Sequence, residues 1–116
     1  MREHTKISTQ TRERVKGRDG GACVVCRRKG VPLECAHYVP RSQGGMGIPQ
    51  NLVMLCHTCH TGYDNGGYRE AIGEILRDYL KGWYPDWDEK ELVYDKWKWT
   101  KEYVQSEDKT GSSSEI

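Results

Sequence analysis

Two Cys-x-x-Cys pairs, Cys23 with Cys26 and Cys56 with Cys59, constrain the fold of this chain more than any other feature. Each pair can turn two thiolates toward one ion, and two pairs supply the four ligands of a tetrahedral zinc site. The 29 residues between them exceed the ~15–20 of the simplest zinc ribbon, so a further element is inserted between the halves. Two independent redox motifs would need a thioredoxin-like strand and helix pattern, which the surrounding residues lack. Cys35, the fifth cysteine, reads as a small buried hydrophobe on a strand.

At 116 residues, 35% hydrophobic and 30% charged, the chain has room for one small domain with a modest core. A bound zinc would contribute on the order of 10–16 kcal/mol, enough to decide whether the first half folds. MREHTKISTQTRERV has no apolar run of the signal-peptide kind, and no stretch approaches the ~18 residues of a membrane span. The expectation is a soluble protein of the cytoplasm.

Ser8 and Thr9 offer N-caps for a helix through Thr11 to Lys16, stopped by Asp19-Gly20-Gly21. Cys23 to Cys26 forms a tight turn, followed by a basic loop from Arg27 to Pro32. Leu33 to Val39 alternates, predicting a strand with Leu33, Cys35, His37 and Val39 inward and Glu34, Ala36 and Tyr38 outward. Pro40 to Gln50, with three glycines and two prolines, is a loop. Asn51 to Leu55 is a short apolar return, and Cys56 to Asp64 begins a helix ended by Asn65-Gly66-Gly67. Tyr68, Ile72, Ile75, Leu76, Tyr79 and Leu80 recur at helical spacing, predicting a helix to about Gly82. Asp88 with Glu91 three residues on starts a last helix carrying Leu92, Trp97 and Trp99 to about Val104. The tail from Ser106 is too polar to pack.

Between the knuckles stand LECAHYVPRSQGG, NLV and LCHTCH. Over about residues 10–64 this resembles the HNH endonuclease family, in the four-cysteine branch where zinc knuckles flank a ββα-metal nuclease core. The resemblance implies an α+β fold with an HNH core over 1–64 stapled by Cys23, Cys26, Cys56 and Cys59; beyond it, apolar spacing predicts an α-helical C-terminal extension over 65–105, packed on the core or binding a partner, and composition a disordered tail over 106–116. It implies His37 as general base, Asn51 as the amide that orients the loop and the histidine ring, and His60 as a ligand of a catalytic Mg2+ or Mn2+. The implied reaction is hydrolysis of DNA with 5′-phosphate and 3′-hydroxyl ends, in a phage or prophage setting beside DNA-packaging proteins, within a bacterial or phage-infected cell. Phosphodiester hydrolysis needs a base to activate water and a cation to stabilise the phosphoryl charge, and these residue types supply both.

One position departs from the family pattern. Many members carry His or Asp just before the base as a further metal ligand, where this chain has Ala36. Asp64, four residues after His60 and so on the same helical face, is the first substitute, and Glu34 the second. His57 or His60 could instead serve the zinc, although four cysteines already fill a tetrahedral site. Arg41, just past the base strand, is placed to meet a phosphate oxygen.

Residues 1–30 carry nine basic and three acidic side chains, and residues 61–116 carry eight and thirteen, so a net +1 hides a +6 front and a −5 back. Arg12, Arg14, Lys16, Arg18, Arg27, Arg28 and Lys29 are the candidate phosphate contacts, with little sequence preference expected. Two other readings keep the zinc and drop the chemistry: a DNA-binding module that lost catalysis with Ala36, and a zinc-ribbon adaptor that binds protein through its Trp-rich end.

Overall fold

Ser8 caps the first long helix, its hydroxyl accepting from the Thr11 amide at 3.0 Å. In the computed structural model, which describes residues 2–94, that helix is preceded by a short one, α1 (Arg2–Thr5), and is labelled α2 (Thr9–Arg18). It runs two residues beyond the predicted Lys16 and stops at Asp19. The strands β1 (Leu33–His37) and β2 (Leu52–Cys56) pair antiparallel, with Leu33 opposite Cys56 and His37 opposite Leu52. Helix α3 (His57–Asp64) leaves β2 without a linker, which completes a ββα unit, and α4 (Arg69–Trp83) follows. None of the described helices is long and apolar enough to cross a membrane.

The predicted single inner face of β1 is corrected: both faces are covered. Ala36, expected outward, is the buried residue of the strand at 1% exposure. It joins Cys23, Val53, Leu55, Tyr63 and the α4 residues Ile72, Leu76 and Leu80 in one apolar cluster. Leu33 and Cys35 pack on the opposite side against Val15 of α2, Leu52 and Met54. With helices on both sides, β2 is buried along its whole length and β1 is half-buried on either side of Ala36, so alternation stops marking a single core face.

Helix α4 buries Ile72, Leu76 and Leu80, while Tyr68 and Ile75 from the same predicted stripe are 67% and 44% exposed. Tyr68 precedes the helix, and Ile75 lies off the i, i+4, i+8 row that meets the sheet. The helix predicted from Asp88 is instead a 3-10 turn, Glu89–Leu92, capped by Asp88 accepting from the Lys90 amide. Val93 then extends and bridges to Gly45, because the loop after β1 offers it backbone partners: Met46 N–H to Leu92 O at 2.8 Å and Tyr94 N–H to Gly44 O at 3.0 Å. The continuation to Val104, with Trp97, Trp99 and the tail, lies outside the described residues.

Loop 40–50 is held in shape. It contains one 3-10 turn at Arg41–Gln43 and leads into another at Pro49–Asn51. Asn51, fully buried, accepts from the Val39 amide at 2.8 Å and donates to the Met46 and Val39 carbonyls at 2.9 and 3.2 Å. Gly45 is required here, since a Cβ would collide with the Val39 carbonyl.

Candidate active site and metal centre

The first knuckle is a turn closed by the Ala22–Lys29 bridge, with Arg27 in the left-handed region (φ 65°) and its N–H on the Cys23 carbonyl at 2.8 Å. The second is rigid for a different reason: Cys56 ends β2 and caps α3, and Cys59 sits in the first turn. The ligand atoms of Cys23, Cys26, Cys56 and Cys59 all lie within 4.8 Å of one another. The Cys26 and Cys56 sulfurs are 3.8 Å apart. A tetrahedron with Zn–S of about 2.3 Å has edges of about 3.8 Å, so these thiols can hold a metal ion such as zinc. Burial opposes ionisation of Cys23, but backbone N–H donors around it outweigh that and bring its pKa down to about 7. Cys23 is thus the thiol readiest to ionise, while burial and the neighbouring thiols push Cys59 up, so a bound cation would have to draw the protons off the set.

His57 and His60 turn from the thiols to Glu34. His60 Nδ1 lies 2.6 Å from one Glu34 oxygen, and the exposed His57 is 3.1 Å from the other. His60 Nε2 is 3.0 Å from Asp64, one turn along α3. Hydrogen bonds from His60, then His57, hold the Glu34 carboxyl below the ordinary carboxylate range. Ala36 faces the core, and Glu34, two residues back on the same strand face, brings a carboxylate to His60.

His60 and Asp64 share a cavity of about 740 Å³ with His37, Arg41, Arg12 and Arg69. His37 stands at the end of β1, its Nε2 2.9 Å from the Thr5 carbonyl. Burial is the main force lowering its pKa below the ordinary 6.5; Arg41 and His60 push the same way, against the Thr5 carbonyl and Asp64. The balance favours the neutral ring. Arg41 is exposed, with its Nε 3.4 Å from the Thr5 hydroxyl. Asn51 braces the loop through Val39, two residues from His37.

Arg12 faces the cavity, and Arg14, Lys16, Arg27, Arg28 and Lys29 are exposed. Arg18 leaves the set of candidate phosphate contacts. Its side chain is 8% exposed and is bound to Asp19, the Pro49 and Leu52 carbonyls and the Tyr84 hydroxyl. Asp19 in turn accepts from the Met54 amide and Tyr79, so the buried pair ties α2 to β2 and α4. Sequence reading missed Arg69, whose charge is submerged in the acidic balance of the second half. It lines the cavity with its guanidinium 4.4 Å from the Tyr63 ring centroid. Thr5 was also missed, because a backbone carbonyl has no signature in sequence.

The model of the family described as HNH endonuclease matches residues 23–66, from the first knuckle to just past Asp64. This chain belongs to the HNH endonuclease family. Anaredoxin from Nostoc sp. is 36% identical to this HNH chain over 64 residues, which make up 55% of this chain and 79% of that one. Among solved structures, the Type IV phosphorothioation-dependent restriction endonuclease ScoMcrA is similar with a TM-score of 0.55 at 21% identity. That likeness covers 66% of this HNH chain but 16% of ScoMcrA, and it is a likeness of fold.

Proposed function

We propose that this HNH protein is a metal-dependent endonuclease that hydrolyses DNA phosphodiester bonds with little sequence preference, its core stapled by zinc at Cys23, Cys26, Cys56 and Cys59. The observation that carries the reading is the convergence of His37, His60, Asp64 and Arg41 on one cavity.

His37 takes the proton of the attacking water. A half-buried imidazole held below its ordinary pKa is ready to do so near pH 7, and a positioned base of this kind contributes about 10²- to 10⁴-fold in rate. His60 Nε2 and the Asp64 carboxylate would hold the catalytic Mg2+ or Mn2+, which when bound stabilises charge on the phosphoryl and leaving oxygens. With Ala36 in the place of a further ligand, the rest of the coordination would fall to water and phosphate oxygens, as Mg2+ tolerates well. Glu34 accepts the Nδ1–H of His60 and fixes the ring, the usual role of a carboxylate behind a metal-bound histidine. Asn51 keeps the loop in register with the base, and Arg41 meets a phosphate oxygen. Arg12, Arg14, Lys16, Arg27, Arg28 and Lys29 attract the DNA backbone, an attraction that salt weakens.

The test is nicking of supercoiled plasmid with added Mg2+ or Mn2+. Wild type nicks, and His37→Ala loses about 10²- to 10⁴-fold while keeping its zinc. Equal rates in the two proteins refute the assignment of His37. Salt-sensitive binding without cleavage by any divalent ion replaces the enzyme with a zinc-stabilised DNA-binding module, the reading that Ala36 favours.

A further inference from the structure

We propose that the N-terminal segment, residues 2–7, is a positioning element for His37: docked on the loop beside β1, it dictates which ring nitrogen carries the proton. A carbonyl oxygen can only accept, so the 2.9 Å contact with Thr5 O puts the proton on Nε2. Nδ1 is left with its lone pair, and no other hydrogen bond to the ring is present among the described residues. Thr5 is 6% exposed, so the carbonyl is fixed in a buried setting, and its hydroxyl also engages Arg41.

The segment is held at points remote from the ring. The His4 carbonyl accepts from Gly47 N–H at 2.9 Å. The His4 ring stacks on Tyr94, with centroids 3.7 Å apart and planes within 9°. Gly47 is the seat itself: a Cβ there would collide with the Lys6 carbonyl, and a backbone carbonyl cannot swing aside as a side chain could. Tyr94 and Leu92 clamp the other side of the same loop through Gly44 and Met46. Both ends of the described chain therefore close on the loop that follows the base. What the segment brings to the ring is the Thr5 carbonyl.

The inference rests on His37 being the base, and a spectroscopic readout separates the two claims. Gly47→Ala unseats the segment without altering His37, Arg41, His60, Asp64, Arg12, Arg69 or Cys35, the ionisable groups that share the cavity. The ring 15N spectrum of His37 is recorded in the full-length, zinc-loaded protein without Mg2+, Mn2+ or DNA. Wild type is expected to show the Nε2–H tautomer, and Gly47→Ala a mixture of the two. Nicking should fall about 10²-fold, the cost typical of a misplaced reacting group. Thr5→Val keeps the carbonyl and should keep the tautomer. Should Gly47→Ala fail to fold, His4→Ala loosens the segment by removing the stack on Tyr94, and a partial shift of tautomer is expected. An Nδ1–H wild type, or folded variants with an unchanged ring spectrum, overturns the proposal. A tautomer shift in a protein that never nicks DNA supports the positioning and refutes the nuclease reading instead.

Discussion

The two ends of the ββα unit carry ligand-type side chains in opposite ways. At the knuckle end, four sulfurs lie within 4.8 Å of one another and two of the cysteines are buried. At the other end, His60 is flanked by Glu34 and Asp64, carboxylates more than two-fifths exposed, beside an open cavity. Closed four-ligand sites hold structure, whereas sites that keep positions open do chemistry. Helix α3 joins the two, carrying Cys59 and His60 as neighbours in its first turns. Order imposed on the thiols is thereby passed to the histidine beside them.

If the contrast holds, chelation or Cys26→Ser should have the largest effect. Cys26 is exposed, so its replacement by Ser removes a ligand without opening the core. A zinc contribution on the order of 10–16 kcal/mol rivals the entire stability of a small domain, so the cooperative melt followed by circular dichroism should be lost. A melt unchanged after zinc is stripped would erase the distinction between the two ends. Glu34→Gln should act at the open end alone: Mn2+ binding, measured by calorimetry, weakens about 10- to 100-fold while zinc content stays constant. Loss of zinc in that variant would mean the two ends are not separable.

The smallest effect is one of pH. Since His37 titrates below 6.5 in the folded protein, the unfolded chain takes up its proton first as pH falls. Stability from this group is complete above 6.5 and declines from there down to the folded value. Melting of wild type and His37→Gln from about pH 8 to about pH 5 should show wild type losing a few degrees more. The acid limb of nicking should lie below pH 6.5, because the base titrates below its ordinary value. An acid limb above 6.5 would contradict the burial of the ring.

The thiol cluster, the ββα order and the Ser8 cap were legible in the sequence because each depends on local spacing or a local hydrogen bond. The inner face of β1 was not, because Ala36 is core only when α3 and α4 cover the side opposite α2. Arg18 looked like its basic neighbours, yet it is buried against Asp19 and the carbonyls of distant turns. Asp64 was legible through its i, i+4 relation to His60, while Glu34 entered as a spare metal ligand and emerged as the partner of the His60 ring nitrogen.

The sequence by itself determined which side chains can bind metal or move a proton, and which of them share a turn of helix. That information is carried by residue type and short-range geometry. Only the tertiary structure decided how His37 is held, because its partner is a backbone carbonyl 32 residues away. Any residue can offer that carbonyl, and only the packed chain shows that Thr5 does.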